Sequence, residues 1–358
     1  MEIRDLPLNI ISLIFEYIPS EEIDRVLTAV GPRPHDILYR AADTVKHSKL
    51  LVTNEWQSSL KLLPRAVQIL PIRLLEYFWH ISLSDFRNLA FELEKKWDGR
   101  IPVKRNISLV FRFDLSNSSA RYKTFRDLQY LLKTMPIPVQ RATKLLYLSV
   151  PDTQGFLLGE GIDQLTGLVL QRLVHSPAFH KSLESLRFQS ATPSFSLLAS
   201  SNITLRKLSH FDQLSSLDLC NLGLRDLREI CLPASLVHLN LSQNSLQTIK
   251  QDRLPPKLFS LDLSFNLLTE VDGSCLPANL KKLNIRRNMV EHLEDLPTTL
   301  EYLDISFNEL TSAPFAIPPN LCYLRTDIAQ FYLMSESTRH DLLNQKVIIQ
   351  KHDNRGFD

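Results

Sequence analysis

Three carboxylates, Asp218, Asp262 and Asp304, occupy the same slot of a pattern that recurs along the C-terminal half of the chain. Carboxylates on adjacent strands would stand about 4.8 Å apart, close enough to share a proton and act as an acid–base pair. Asn240 and Asn284 fall between them, however, so adjacent acid pairs are not implied. A basic run of Lys281, Lys282, Arg286 and Arg287 lies nearby, of a kind that permits phosphate recognition. His238 and His292 also lie within the pattern, where a surface or capping role is expected. Cys220, Cys231, Cys275 and Cys322 form no CxxC pair, and no His stands at zinc-finger spacing from them. They are expected to be reduced and structural. The sequence contains no Gly-rich phosphate loop, dinucleotide fingerprint, HExxH or GxSxG, and no nucleophile has a base beside it. The expectation is a chain that is not an enzyme, with no cofactor and no metal.

Bulk properties point the same way. The 358 residues carry 41 Lys+Arg against 39 Asp+Glu, a formal net charge of +2, which gives no reason to expect direct nucleic-acid or membrane binding. Asp5, Glu16, Glu21 and Glu22 interrupt what would be the apolar core of a secretory signal, and no apolar stretch is long enough for a transmembrane helix. A cytoplasmic or nuclear location is expected, and the sequons at Asn106, Asn117, Asn202 and Asn240 are then chance matches.

The elements that position these residues are repeats. Leu214-Ser-Ser-Leu217-Asp-Leu219 is followed by copies starting at Leu236, Leu258, Leu280 and Leu300, with a weaker one at Leu321. Successive starts are 22, 22, 22, 20 and 21 residues apart. The LxLxL alternation predicts a short strand with one apolar face. Three residues beyond each strand's last apolar position stands Asn244, Asn266, Asn288 or Asn308, suited to bond backbone groups where the chain leaves the strand. Leu222 takes that position in the first copy, which reads as a join to a different kind of repeat. The return legs carry Leu232-Pro233, Leu254-Pro255, Leu276-Pro277, Leu296-Pro297 and Ile317-Pro318, so they are expected to be extended rather than helical.

This pattern resembles the leucine-rich repeat, LxxLxLxxNxL, and implies a solenoid with a parallel inner sheet. The resemblance places target binding on that sheet's solvent face, at Asp218, Asn240, Asp262, Phe265, Lys282, Asn284, Arg286, Tyr302, Asp304 and Phe307. Leu145–Val150 and Leu183–Phe188 read as degenerate copies, Leu109–Phe113 as a strand and Phe125–Leu132 as a helix. After Thr326 a helix bearing Leu342 and Leu343, then Val347–Ile349, is expected to cap the far edge.

The N-terminal stretch LPLNIISLIFEYIPSEEIDRVLTAV, Leu6 to Val30, reads as two amphipathic helices broken at Pro19, with Ser20 as N-cap of the second. It resembles an F-box. That resemblance implies docking on the Skp adaptor of cullin ubiquitin ligases through Leu6, Pro7, Ile10, Ile14, Phe15, Tyr17, Ile18, Ile23, Val26 and Leu27. Past Val30 the Cys and Trp of that motif are not recognisable, and a third helical stretch, Asp36 to Arg40, follows.

The fold class expected is α/β, an N-terminal F-box-like helical segment followed by a leucine-rich-repeat solenoid. The divisions are 1–48 (F-box-like motif), 49–104 (helical linker), 105–213 (irregular repeats), 214–326 (regular repeats) and 327–358 (cap). Helical faces are expected at Leu60, Leu63, Val67 and Leu70, then Leu74, Leu75, Phe78 and Trp79. The leading functional expectation is a substrate receptor of a Skp–cullin–F-box ubiquitin ligase. Its partners would be the Skp adaptor, through it a cullin, and a target protein. Two alternatives stay open: an F-box scaffold outside ubiquitination, of the kinetochore-complex type, and a leucine-rich-repeat adaptor with no Skp partner.

Overall fold

The computed structural model describes residues 6, 11, 14, 15, 18, 20–30, 36–46, 49–53, 79–83, 106–112, 118–130, 135, 140, 143–150, 175–190, 206–228, 230–250, 253–310 and 316–352. The chain divides into two compact units, Met1–Leu148 and Ser149–Asp358.

In the first unit, helix α1 (Ser20–Val30) packs on α2 (Ile37–Lys46). Ser20 is the first helical residue of α1 rather than its cap. At α2 the Asp36 carboxylate accepts the otherwise orphaned amides of Leu38 (2.8 Å) and Tyr39 (3.3 Å), which fixes where that helix starts. Ile11, Ile14 and Phe15 are helical, and Ile11, Phe15, Ile23, Ala41 and Ala42 form a buried core.

The same unit contains three parallel strands in the order β2 (Trp79–Ser82), β1 (Lys49–Thr53), β3 (Asn106–Arg112), with β4 (Thr143–Val150) beside β3. This corrects the expectation of a helical linker at 49–53 and 79–82, while 54–78 and 84–104 lie outside the described residues. Lys49–Thr53 and Trp79–Ser82 are strands, and Trp79 opens one instead of lying on a helix face. Four or five residues suffice for a strand, and a helical period read across a long stretch passes over such short segments. Leu60, Leu63, Val67, Leu70, Leu74, Leu75 and Phe78 lie outside the described residues. Helix α3 (Ser118–Gln129) overlaps the helix expected over Phe125–Leu132 and starts seven residues earlier.

The second unit is built on eight parallel strands in chain order. They are β5 (Ser185–Ser190), β6 (Ser216–Cys220), β7 (His238–Asn240), β8 (Ser260–Asp262), β10 (Lys282–Asn284), β12 (Tyr302–Asp304), β13 (Tyr323–Asp327) and β14 (Ile348–His352). Leu217, Leu239, Leu261, Leu283, Leu303 and Leu324 face the core in one row, each paired with its neighbour in register. Two return legs form a second, small parallel sheet, β9 (Glu270–Asp272) with β11 (His292–Glu294). Each leg then turns into the next strand in one way: the carbonyl of Pro233, Pro255, Pro277, Pro297 or Pro318 accepts the amide of the leucine three residues on, at 3.0–3.3 Å. Proline pre-sets φ there and loses no needed donor. Gly273 is required by close approach, since a Cβ on it would lie 2.0 Å from the Asp295 carbonyl oxygen.

The expected asparagine ladder is present and continuous. The Asn266 side-chain amide donates to Leu241 O (3.0 Å) in the preceding repeat and Leu263 O (2.9 Å) in its own, while its oxygen accepts from Leu246 N (3.0 Å). Asn244, Asn288 and Asn308 repeat this arrangement. Where Leu222 replaces the first Asn, Asn244 reaches back to the amides of Leu222 and Leu224, both at 3.0 Å. At the far end Gln330 of helix α4 (Ile328–Leu333) donates to Asn308 O, standing in for the next ladder residue. Helix α5 (Glu336–Asn344), capped by Ser335, leads into β14.

Candidate functional site

In the second unit every strand turns alternate side chains away from the leucine core. The register places Arg187, Asp218, Asn240, Asp262, Asn284, Asp304 and Arg325 in one central column across the sheet. Each acid or amide in it first serves its own backbone. The side-chain oxygens of Asp218, Asn240, Asp262, Asn284 and Asp304 accept the amide two residues on, at 2.9–3.1 Å. Asp and Asn suit this turn because their short side chains reach that amide.

Sideways bonds consume most of what remains. Arg187 lies 3.7 Å from Asp218, with both side chains nearly buried, and Arg325 lies 3.8 Å from the buried Asp304. Asn240 is the register neighbour of Asp218 and its side chain lowers that carboxyl's pKa, and Asn284 donates to Asp262 at 3.1 Å. Burial holds the Asp218 carboxyl above the ordinary carboxylate value, although the Arg187 guanidinium pulls it down. Burial also raises Asp262, against the hydrogen bonds from Ser264 and Asn284. The column is thus a polar network with Arg187 beside Asp218 at one end and Arg325, itself bonded to Gln350, beside Asp304 at the other. Neither Arg187 nor Arg325 was singled out from sequence. Both occupy the slot between the strand leucines in the degenerate copies at Leu183 and Leu321, so aligning those copies would have found them.

On one side of the column, Lys282, Tyr302 and Tyr323 are consecutive neighbours in the register. The two tyrosines stack with centroids 5.3 Å apart and planes 7° from parallel. Tyr323 Oη donates to Gln350 Oε1 at 2.6 Å, and Arg325 Nε donates to the same oxygen at 2.8 Å. Burial raises the Tyr302 phenol above its usual value. Lys281 pairs with Glu301 at 2.6 Å, and the ammonium groups of Lys281 and Lys282 lie 5.7 and 5.9 Å from the Phe259 ring. His238, in T-shaped contact with Phe259, has its pKa lowered by burial and by Lys282.

On the other side, where the chain leaves the strands, a second column forms. Asn221, Gln243, Phe265, Arg287 and Phe307 share left-handed backbone, with φ of 58°, 56°, 56°, 53° and 58°. The first four donate their amides to carbonyls of the next repeat, and Phe307 donates instead to Asp327 Oδ2 at 2.6 Å. The Arg287 guanidinium lies 5.2 Å from the Phe265 ring centroid and 4.9 Å from that of Phe307, and Arg286 lies 4.5 Å from Phe307. His352 borders the stack, 5.8 Å from Phe307. Next to it, Leu267 (41% exposed) and Met289 (38%) present apolar side chains in adjoining repeats.

The structure therefore gathers Phe265, Arg286 and Phe307, and separates them from Lys282 and Tyr302 by the width of the strand. Sequence reading passed over Leu267 and Met289. Their signal is the position directly after Asn266 and Asn288, one residue before the buried apolar position. The four cysteines are free; Cys220 is buried and its thiol pushed up to about 11, which makes it inert at neutral pH.

Of the N-terminal candidates, Phe15 (3% exposed) and Ile23 are core residues, whereas Ile14 is 38% exposed. Phe15 had been expected to await a partner's cover; it is covered by its own unit instead. Leu6, Ile18, Val26 and Leu27 are half-buried, while Pro7, Ile10 and Tyr17 lie outside the described residues. Among the described residues no helix is long and apolar enough to cross a membrane.

No protein-family profile matches the chain, and no curated protein matches it. Among solved structures, it is similar to YopM from Yersinia enterocolitica, at 33% identity over 41% of this chain, with a TM-score of 0.29. The chain spans 26% of that protein's length. It is also similar to the leucine-rich repeat-containing protein LegL7 from Legionella pneumophila, at 16% identity over 73% of this chain and 87% of that one, TM-score 0.35. An internalin from Listeria monocytogenes matches at 14% identity over 99% of this chain and 94% of that one, TM-score 0.39.

Proposed function

We propose that this chain is a non-catalytic protein-binding scaffold, and specifically the target-holding subunit of a Skp–cullin–F-box ubiquitin ligase. The observation that carries the scaffold reading is the solvent face of the eight-stranded sheet. A rigid, internally satisfied polar column there is flanked by aromatic, basic and apolar side chains that no core residue requires. Such surfaces, rich in Tyr, Phe, Met and Arg around a fixed backbone, are what protein interfaces use as anchors. The ligase reading is supported by the F-box-like stretch Leu6–Val30 preceding the repeats, with Ile14 exposed on it. In that role the chain would contribute proximity, making transfer to the held target effectively intramolecular, while catalysis stays with other subunits. Its place of action would be the cytoplasm or nucleus.

Co-expression of the full chain with a Skp adaptor and a cullin tests this. Recovery of all three together, lost on Ile14→Asp with the melting temperature unchanged, is the expected result. Recovery of the adaptor without the cullin would redirect the reading to a scaffold outside ubiquitination. Recovery of neither would leave a leucine-rich-repeat adaptor with no Skp partner. Phe15→Asp is the wrong variant for this purpose, because a charge in that buried site unfolds the unit.

A further inference from the structure

The left-handed slot at the exit of each strand suits Asn, and bulky residues adopt it only at a cost. The first copy uses Asn221 there, so the favourable residue is available to this repeat. Gln243 takes it in the second copy, and the bulkier Phe265, Arg287 and Phe307 occupy it in the three after that, with Phe265 42% exposed. Strain accepted for side chains that the core does not use marks a selected surface. The rings stack on the guanidinium faces of Arg286 and Arg287, and a stacked guanidinium keeps its donors in its own plane, where a carboxylate meets them two at a time. Among the described residues Arg286 forms no ion pair. Asp304 accepts from Ser306 and lies beside Arg325, and Asp327 accepts the Phe307 amide. The strip is therefore positive at its centre and apolar along Leu267 and Met289.

We infer that this strip recognises an extended segment of the partner protein in which an Asp or Glu is flanked by apolar side chains. The acid meets Arg286, which lies against the Phe307 ring, and the flanking residues cover Phe265, Leu267 and Met289. Glu309 follows Met289 in its column and closes the far end to a second acid. A phosphate would draw on backbone amides as well as arginines. Here the amides of Phe265, Arg287 and Phe307 are all spent on the neighbouring repeat, so a carboxylate fits better. The inference deepens the docking role proposed above and rests on it.

The test pans the full chain against a displayed random-peptide library and measures the selected peptides, synthesised singly, by fluorescence polarisation. The expected peptides carry Asp or Glu beside apolar residues. Their affinity falls by about tenfold or more in the R286E/R287E double variant. Phe265→Asn gives a similar loss while its melting temperature is unchanged or raised, which a merely structural ring would not allow. Lys257→Glu, exposed on a return leg outside the sheet's solvent face, leaves affinity within about twofold. Peptides that bind equally well with Gln in place of the acid, or only with phosphoserine there, overturn the inference. So does indifference to R286E/R287E. Peptides lost on Lys282→Glu instead overturn the strip but leave the docking face standing, and a panning that yields no acidic peptide overturns the strip without touching the adaptor experiment.

Discussion

The early and late halves of the regular ladder share one backbone and differ in what it carries. Around Leu217 and Leu239 the exit slot holds Asn221 and Gln243, and the strand's last outward positions hold Cys220 and Ser242. Around Leu261, Leu283 and Leu303 the same slots hold Phe265, Arg287 and Phe307, with Arg286 beside them. Parallel pairing runs through both halves, and from Leu236 onwards so do the proline turns and the asparagine ladder. The chemistry therefore rests on positions the repeat leaves unconstrained, while the repeat's own residues, including the Asp/Asn column, hold the frame.

If the frame is common, breaking it should cost the same in either half. Asn244→Ala removes five side-chain bonds to backbone groups and Asn288→Ala four, the additional one being the Leu222 amide that Asn244 also holds. Each should lower stability by about 3 kcal/mol in urea denaturation. A clearly smaller cost for one would show that its half is held by something other than the ladder. The column ends give the next largest effect. Arg187→Met strips the buried Asp218 of its cation and should cost about 2 kcal/mol at pH 7, less than a fully uncompensated charge because Asp218 can take up a proton. Since burial already raises the Asp218 pKa, that cost should shrink as pH falls, from above the usual carboxylate range.

Much of the frame was legible in the residues. The leucine spacing implied parallel strands, and the Asn offset implied a ladder. The degenerate copies at Leu145 and Leu183 read as the strands they are. What escaped had a physical reason in each case. Lys49–Thr53 and Trp79–Ser82 are too short to outweigh a helical period. The burial of Phe15 depends on helix packing that an amphipathic pattern does not specify. The internal bonding of the central column escaped because acids and amides exposed on a strand look alike, whether or not a backbone amide two residues on bonds them. The left-handed slot is invisible to hydropathy, although it sits at a fixed offset, one residue before the ladder Asn.

Exchanging residues between the halves at that slot should show effects of about 1 kcal/mol and opposite sign. Gln243→Phe should destabilise by about that amount, since it imposes a bulky side chain on left-handed backbone without an arginine stack to receive it. Phe265→Asn should be neutral or stabilising by up to about 1 kcal/mol, read from thermal melts of the two variants beside the parent. Destabilisation by both would mean that the Phe265–Arg287–Phe307 stack contributes more to the fold than the backbone strain removes.

The smallest effect concerns Asp262, which lies where the halves meet and has Asn240 and Asn284, not arginines, as its column neighbours. Burial raises its pKa in the folded chain, so between about pH 4 and that raised value the folded state holds a proton that the unfolded state releases. Stability contributed by Asp262 therefore falls as pH rises through this window and levels off above it. Asp262→Asn removes the term. Urea denaturation at a series of pH values should show the difference between variant and parent shifting in the variant's favour from about pH 4 towards neutrality, whatever its sign at the start. The backbone bond from Ser264 survives in the variant, because an amide oxygen accepts it equally well. A difference that does not move with pH would mean that the carboxylate is solvated, and that the polar network stops short of the late half.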